Sequence, residues 1–407
     1  MNADSPPDNL MERHAGAILE IDLAALAANY KILRDRADGA VCAAVLKADA
    51  YGLGADRVGP ALAAVGCRDF FVAHLGEGIS LRQILGPGPT IYILHGPMVQ
   101  TGSGVEDDFL DHDLIPVLNS PEQLEQWAAK GRKLGQPLAA ALQIDTGMNR
   151  LGLSAAETSA LSDAPERLGG IDLRFVVSHL ACADEADHGM NLEQRQAFDR
   201  LRAMLPATAA SLANSSGIFL GPDYHYDLVR PGIALYGGNP TPGQPNPMKE
   251  VVRLTGRILQ VREIDTPQTV GYGATHRATG PRRIATVPVG YADGYLRSLS
   301  GRGMGGLAGV SVPIVGRVSM DLITLDVTDV PPAAARPGAL IDLIGGGGIA
   351  VDDVAVDNVA ARAGTIGYEI LTSLGHRYCR RYHFGNAGNR GIRGYGGGGA
   401  REGVVDG

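Results

Sequence analysis

The sequence predicts an α/β protein in which a (β/α)8 barrel of the TIM type is followed by a mostly β C-terminal domain. Between Ala40 and about Gly238, eight short apolar runs alternate with stretches of helical period, which is typical of β-α units around a parallel sheet. A segment rich in Pro, Gly and Asn interrupts this pattern, and short alternating strands follow it. At 407 residues, the chain is long enough for two domains.

The barrel prediction depends on the eight apolar runs. They are VCAAVL (41–46), FFVA (70–73), TIYIL (90–94), LIPVL (114–118), AAALQI (139–144), RFVVS (174–178), ATAASL (207–212) and LVRPGIALY (228–236). Helices are predicted at Ala55–Val65, at Pro121–Leu134 with Ser120 as its N-cap, and at Asn191–Met204. An open doubly wound sheet is the alternative, but no G-x-G-x-x-G follows the first strand to support it. Barrel chemistry is expected at the C-terminal ends of the strands.

The segment NPTPGQPNP (239–247) is the predicted domain boundary, because neither a helix nor a strand can run through it. Beyond it, runs such as RLTGRILQVREI, RRIATVPV, VSVPIVGRV, LITLDV and ALIDLIG predict short strands, with a helix from Val351 to Ala363. We therefore expect an N-terminal tail over residues 1–16, a barrel over 17–240 and a β domain over 241–385. A disordered Gly-rich tail is expected over 386–407.

The composition excludes several classes of function. A net charge of −8 offers no broad positive field, so we expect no nucleic-acid partner. Cys42, Cys67, Cys182 and Cys379 form no C-x-x-C pair, which favours reduced thiols and predicts no metal site. The N-terminus lacks a signal-peptide pattern, and no run approaches the ~20 apolar residues that span a bilayer. These features predict a cytoplasmic protein without membrane contact.

Lys47 is the most informative residue of the barrel. It stands at the predicted end of the first strand, in AVLKADAYGLGA (44–55), and is expected to point into the barrel mouth. Most lysines at strand ends are simply solvated. A desolvated lysine here would have a lowered pKa and could bond covalently to a carbonyl cofactor. The spacing alone leaves both interpretations open.

The same segment resembles the cofactor-lysine motif of alanine racemases, enzymes that bind pyridoxal 5'-phosphate (PLP) and combine a barrel with a β domain. Further segments resemble blocks of this family in order and spacing: DTGMNRLGL (145–153), SHLACAD (178–184), ANSSG (213–217), VRPGIALYG (229–237), VGYGATH (270–276), VGYADGY (289–295), GRVSMD (316–321) and GYEI (367–370). The likeness runs from about Ala17 to Tyr382. Nine blocks in sequence strongly indicate a member of this family.

The resemblance implies that the protein racemises alanine with two bases. Lys47 would hold PLP and act as one base, and Tyr272 would be the other, because inverting a stereocentre needs proton transfer on opposite faces. A tyrosine with an ordinary pKa of about 10 needs nearby positive charge or hydrogen-bond donors, which the resemblance assigns to His179 and Arg230. Arg230 would also face the pyridine nitrogen, where most PLP enzymes have a carboxylate. An arginine leaves that nitrogen unprotonated, which favours racemisation over transamination or elimination.

The resemblance also assigns the remaining binding residues. The cofactor-binding set is Lys47, Tyr51, Arg150, Ser215, Arg230, Gly232, Ile233 and Tyr368. Gly232 and Ile233 would give backbone N–H groups to the phosphate, and Arg150 would bond the PLP phenolic oxygen. For the substrate, Met320 would offer its N–H to the carboxylate beside Arg150, and Tyr291 would line the entrance. Because Tyr272, Tyr291 and Met320 come from the second subunit in this family, a homodimer with shared active sites is expected.

Three positions depart from the family pattern. Leu53 replaces the usual histidine of A-Y-G-H-G, beside the phosphate loop. Gln143 stands where many members have a lysine that becomes carbamylated, so a neutral amide or a bound anion such as chloride would have to hold Arg150. Ser211 stands where some members have a histidine that supports the arginine. None of these changes removes an acid or base that the predicted reaction needs.

Alternative functions remain open at this stage. A racemase of broader or other substrate range, for example for serine, would share every cofactor residue. A basic amino-acid decarboxylase is disfavoured by Arg230, and a non-catalytic single-barrel PLP-binding protein would lack the β domain. For a racemase, the product would be D-alanine for peptidoglycan, or the reaction would serve D-alanine catabolism.

Overall fold

The computed structural model of the chain describes residues 14–99, 104–346 and 352–384. The predicted Gly-rich tail over 386–407 and residues 1–13 of the predicted N-terminal tail lie outside the described residues.

The N-terminal part of the described chain contains strand β1 (Ala17–Asp22) and helix α1 (Leu23–Arg36). The barrel strands are β2 (Val41–Cys42), β3 (Ala44–Val45), β4 (Asp69–Val72), β5 (Thr90–Ile93), β6 (Ile115–Leu118), β7 (Leu138–Gln143), β8 (Ile171–Val177), β9 (Ala209–Ser211) and β10 (Leu228–Val229). The barrel helices are α2 (Ala55–Ala64), α3 (Leu75–Leu85), α4 (Val105–Asp111), α5 (Pro121–Leu134), α6 (Ala155–Asp163) and α7 (Met190–Arg202). Short 3-10 turns, Gly217–Phe219 and Ile233–Tyr236, follow the last two strands.

The parallel strands close into a barrel. Strands β3 to β9 pair in sequence order, and β2 pairs in parallel with β10. The closure continues beyond β10, because Val45 N–H donates to Pro231 O at 3.0 Å. Phe175 of β8 packs against Phe71 and Tyr92 of β4 and β5, with its ring centroid 5.1 Å from that of Tyr92. Since β8 is not a neighbour of these strands, the aromatic contact fills the barrel interior. The predicted barrel is confirmed.

The second domain is mostly β, as predicted. Its strands are β11 (Val252–Arg257), β12 (Gln260–Ile264), β13 (Thr269–Val270), β14 (His276–Arg277), β15 (Arg282–Val287), β16 (Met304–Leu307), β17 (Val310–Pro313), β18 (Ile323–Asp326), β19 (Leu340–Ile344) and β20 (Cys379–His383). Its helices are α8 (Val356–Ala363) and α9 (Gly367–Ser373). The helix predicted from Val351 is shorter, because a 3-10 turn at Asp352–Val354 precedes α8. Helix α9 was not predicted.

Strand β1, from the start of the described chain, pairs with strands of the second domain. It lies in a sheet of order β17-β16-β19-β11-β1-β20, antiparallel to β11 and parallel to β20. The N-terminal strand therefore hydrogen-bonds to the second domain, although its residues fall in the range predicted for the barrel. Among the described residues, no helix has the length and apolar character needed to cross a membrane.

Candidate active site

Lys47 lies two residues after the end of strand β3, at the C-terminal mouth of the barrel, as the sequence predicted. Its side chain is half-buried. Burial lowers the pKa of Lys47, the charge of Arg150 lowers it further, and Glu77 opposes both. A lower pKa means that a larger fraction of the amine is neutral and nucleophilic at neutral pH. This environment favours the functional interpretation of Lys47 over that of a solvated strand-end lysine.

The chain after Lys47 forms an unusual left-handed turn. Four consecutive residues, Ala48 to Tyr51, have φ between 53° and 57°. L residues avoid this region by roughly 1–2 kcal/mol each, so contacts elsewhere must hold the turn. Asp49 provides one of them, because its Oδ1 accepts a hydrogen bond of 2.7 Å from Ala55 N at the start of α2.

The second domain also holds this turn. From β20, Arg380 Nη1 donates to Gly52 O at 2.6 Å, and Tyr382 Oη donates to Leu53 O at 3.0 Å. The Leu53 side chain is fully buried. Leu53, which departs from the family histidine, therefore acts here as a packed apolar residue that lies under the turn.

A small cradle lies beside the turn, between two barrel loops. Ser215 Oγ accepts hydrogen bonds from Gly232 N at 2.8 Å and Ala234 N at 3.3 Å, so the Gly232 N–H predicted to bind a phosphate is donated to Ser215 in this structure. With both lone pairs used, the Ser215 hydroxyl hydrogen remains for another acceptor. A Cβ on Gly232 would lie 2.2 Å from Tyr51 Oη, so only glycine leaves room next to that phenol.

Aromatic side chains surround the cradle. The buried Tyr51 ring lies 4.6 Å from Tyr236 and 5.8 Å from Tyr368, measured between centroids. Tyr368 comes from α9 of the second domain, and the buried Ile233 begins the 3-10 turn. The structure thus brings the predicted phosphate-binding residues together from both domains.

Arg230 is buried in the barrel, next to Ser211. Its guanidinium donates to Ser211 Oγ, to Ser178 O at 2.6 Å and to Leu212 O at 3.4 Å. Ser211 in turn donates to Leu228 O at 2.6 Å. Burial lowers the pKa of Arg230 to about 9, so the side chain keeps its charge at neutral pH. Ser211, the third departure from the family pattern, thus supports the arginine as a neutral acceptor.

His179 lies among the cationic side chains of the mouth. Burial, followed by the charges of Arg230, Arg150 and Lys47, lowers the pKa of His179 to about 3. The imidazole is therefore neutral at pH 7 and has one donor and one acceptor nitrogen. Gln194 Nε2 donates to the His179 carbonyl at 2.9 Å and fixes the backbone at this point.

Arg150 lies on the exposed loop after β7. Asp145 organises this loop, because its carboxylate accepts from Gly147 N at 2.9 Å and from Asn149 N at 3.0 Å. Gln143 Nε2 donates a hydrogen bond to Leu151 O at 3.1 Å. Gln143 therefore stabilises the loop that carries Arg150 by a hydrogen bond from its side chain to the backbone of that loop.

Three residues are predicted to contact the substrate in the barrel of the other subunit. All three lie on the second domain and are exposed. Tyr272, Tyr291 and Met320 have exposed fractions of 71%, 43% and 54%. The Tyr291 and Met320 loops are joined, because Ala292 N donates to Met320 O at 3.0 Å. Among the described residues, no hydrogen bond or ring contact links Tyr272 to Lys47 within the chain. Single-chain geometry therefore does not join the two predicted bases.

Sequence reasoning missed residues that hold the site. Arg377 bridges the Tyr291 and Met320 loops, with Nη2 2.8 Å from Asp293 Oδ2 and Nη1 2.7 Å from Asp321 Oδ1. Arg380 and Tyr382 hold the left-handed turn from more than 300 positions away, and no local signal marks them. Glu77 was also missed, although a glutamate in the first turn of a helix is a recognisable capping signal.

The barrel brings together a lysine, a buried arginine and a small polar cradle, and a β domain follows it. This combination is typical of one class of enzymes, the PLP-binding barrel enzymes. Comparisons with known proteins give the particular family. Residues 21–240 match the family model "Alanine racemase, N-terminal domain", and residues 251–382 match "Alanine racemase, C-terminal domain". The chain belongs to the alanine racemase family of PLP-dependent isomerases. The predicted family, activity class and cofactor are confirmed.

Individual relatives agree with this assignment. Alanine racemase of Rhodospirillum rubrum is 56% identical over 91% of this chain and 97% of its own length. A catabolic alanine racemase of Mesorhizobium japonicum is 50% identical over 91% of this chain and 94% of its own. The crystal structure of alanine racemase from Bartonella henselae, with covalently bound PLP, has a TM-score of 0.85 at 40% identity and covers 91% of this chain and 100% of its own.

Proposed function

We propose that the protein interconverts L-alanine and D-alanine with PLP, using Lys47 and Tyr272 as bases on opposite faces of the substrate Cα. The observation that carries the proposal is the half-buried Lys47 at the barrel mouth. Burial lowers the pKa of this lysine, and the cradle formed by Ser215 and Gly232 lies at the same mouth. The covalently bound PLP of the Bartonella henselae relative supports the same role for a lysine here. When bound, PLP withdraws electrons from the amino acid and makes its Cα proton acidic.

The cradle suits the phosphate of PLP. The Ser215 hydroxyl has a hydrogen to donate, and the missing side chain of Gly232 leaves room for the Tyr51 phenol to lie against the cradle. Tyr368 and the backbone of Ile233 complete this phosphate site in the proposal. At the other end, Arg230 would hold the pyridine nitrogen, and Arg150 would bind the phenolic oxygen and the substrate carboxylate.

Arg230 determines the type of reaction in this proposal. A buried guanidinium that stays charged, with its pKa at about 9, donates hydrogen bonds and does not protonate the pyridine nitrogen. Arg230 would thereby make bound PLP a weaker electron sink than a carboxylate partner would, which favours return of the Cα proton. The outcome is racemisation.

Each base handles the proton on its own face of the substrate. Lys47 Nζ removes or returns the Cα proton on one face, and Tyr272 Oη does so on the other. His179 is suited to hydrogen-bond the phenol because its imidazole is neutral, with a pKa of about 3. Arg230 adds a fixed positive charge close to His179.

The proposal requires a homodimer, in which Tyr272, Tyr291 and Met320 enter the partner's barrel mouth. Their exposure supports this, because large side chains left open on one face mark an interaction surface. The chain then comprises a PLP-binding barrel, whose strands run from β2 to β10, and a β domain, whose main sheet includes β1 and which supplies the second wall of the neighbouring site.

Mixed dimers test the two bases and the shared site together. Lys47→Ala and Tyr272→Phe variants should each be inactive when purified alone. Unfolded together and refolded, half the dimers are hybrids with one intact site of two, so about one quarter of the wild-type activity should return. If both bases came from one chain, the mixture would stay inactive, and the shared-site proposal would fail.

Chiral separation of the products from a panel of L-amino acids tests the substrate. Alanine should be racemised fastest; faster turnover of serine would favour the broader-range alternative. We propose a cytoplasmic enzyme that supplies D-alanine for peptidoglycan. A deletion strain that grows without added D-alanine, but not on D-alanine as its carbon source, would instead support the catabolic role named for the Mesorhizobium japonicum relative.

A further inference from the structure

Glu77 ties the turn that follows Lys47 to the next barrel strand. It lies in the first turn of α3, and its Oε1 accepts a hydrogen bond of 2.6 Å from Ala48 N, the residue directly after Lys47. Its Oε2 accepts from Ala73 N at 2.8 Å and His74 N at 3.0 Å, at the end of β4. One carboxylate therefore joins the loops that follow two neighbouring strands.

Helix capping accounts for only part of this arrangement. Glu157 occupies the equivalent place in α6, where its Oε2 accepts from Ser154 N and Ser154 Oγ, both at 2.8 Å. Those two bonds stay within the cap of one helix. The hydrogen bond from Ala48 N to Glu77 has no counterpart at Glu157. Its donor is the first residue of the left-handed turn, whose backbone conformation L residues avoid unless contacts hold it.

Glu77 also contributes negative charge at the Lys47 amine. The groups that act on this site are Arg150, His95, His179, Arg230 and Glu77 itself, with His74 in contact with His95 at 3.3 Å between their Nδ1 atoms. Arg150 lowers the pKa of Lys47 and Glu77 raises it. A change at Glu77 should therefore alter both the position and the basicity of the amine.

We propose that Glu77 is a positioning residue for the cofactor lysine: its carboxylate holds the left-handed turn so that Lys47 Nζ faces the barrel mouth. The inference rests on the proposed role of Lys47 in binding PLP. A role limited to the cap of α3 is the competing explanation, and Glu157 provides the matched control.

The test compares Glu77→Ala, Glu77→Gln and Glu157→Ala as apoenzymes titrated with PLP. Glu77→Ala should bind PLP about tenfold more weakly, the factor expected for the loss of a charge-assisted hydrogen bond. The pH at which PLP capture reaches half its maximal rate should move down in both Glu77 variants, because the amine loses its nearby carboxylate. Glu77→Gln keeps one of the two acceptor oxygens, so its affinity should lie between that of Glu77→Ala and that of the wild type.

Glu157→Ala should lower the melting temperature while leaving PLP affinity and the capture midpoint at wild-type values. If Glu77→Ala matches Glu157→Ala in both readouts, Glu77 only caps its helix, and the inference is wrong. If Glu77→Ala does not fold, Glu77→Gln decides, and wild-type values of both its PLP affinity and its capture midpoint overturn the proposal. A Lys47→Ala protein that still forms a borohydride-stable bond with PLP would overturn the proposed function instead.

Discussion

Adding one methyl group at Gly232 should weaken PLP binding. A Cβ there would lie 2.2 Å from Tyr51 Oη and 3.0 Å from Tyr51 Cζ. Since comfortable contacts lie at about 3.5 Å, the phenol would have to move by about 1.3 Å. The Tyr51 ring is buried and packs 4.6 Å from Tyr236, which opposes that movement. Overpacking of this kind costs about 1–3 kcal/mol of folding stability. Displacing the Tyr51 hydroxyl, a proposed phosphate contact, should in addition lower the affinity for PLP about tenfold, the factor expected for one charge-assisted hydrogen bond.

Absorbance titration of the apoenzyme with PLP measures this effect, alongside its melting temperature. Gly189→Ala is the control, because a Cβ there meets nothing within 4 Å and its φ is −56°. That variant should stay within about 0.5 kcal/mol of the wild type. Adding Tyr51→Phe to Gly232→Ala removes the closest contact and should restore part of the apoenzyme's stability. Wild-type PLP affinity in Gly232→Ala would refute the assignment of this cradle to the phosphate.

Three further predictions concern the neighbouring residues. Ser211→Ala leaves a buried N–H of Arg230 without its acceptor, so urea denaturation should show the free energy of unfolding falling by about 1–3 kcal/mol. His179 has a pKa of about 3 in the folded chain and near 6.5 unfolded, so below pH 6.5 the unfolded chain binds the extra proton. Stability should therefore fall between pH 6.5 and 3, and less steeply in His179→Gln. In Arg377→Lys, a flexible ammonium replaces the guanidinium that is paired with Asp293, so sedimentation should show the proposed homodimer dissociating at higher protein concentrations than in the wild type.

Where local signals mark both ends of an element, sequence reasoning located it closely. Helix α5 spans Pro121–Leu134 as predicted, because Ser120 caps its first turn and Gly135 ends it with a φ of 69°. The barrel strands were found by the same logic, since each is a short apolar run between turn residues. The position of Lys47 at the barrel mouth was predicted in this way, from the end of the first apolar run.

Long-range contacts carry no such local signal. The pairing of β1 with β11 and β20 joins residues from both ends of the chain, and nothing in AILEID indicates those partners. The left-handed turn is equally hidden, because Ala-Asp-Ala-Tyr contains no glycine to suggest positive φ. Its supports at Arg380 and Tyr382 could be identified only after the fold was known. The roles of individual site residues, which rest on the family resemblance, stay predictions.

The charges at the barrel mouth connect the cofactor with the second base. Burial, followed by the charges of Arg230, Arg150 and Lys47, lowers the pKa of His179, which leaves the imidazole neutral in a region that is positive. A phosphate-bearing cofactor reduces the repulsion between these cations, whereas a neutral ligand would leave it in place. On the proposed mechanism, the charges that attract the phosphate of PLP also line the mouth that the Tyr272 phenol of a second subunit would enter, so the cofactor and the second base would meet the same positive field.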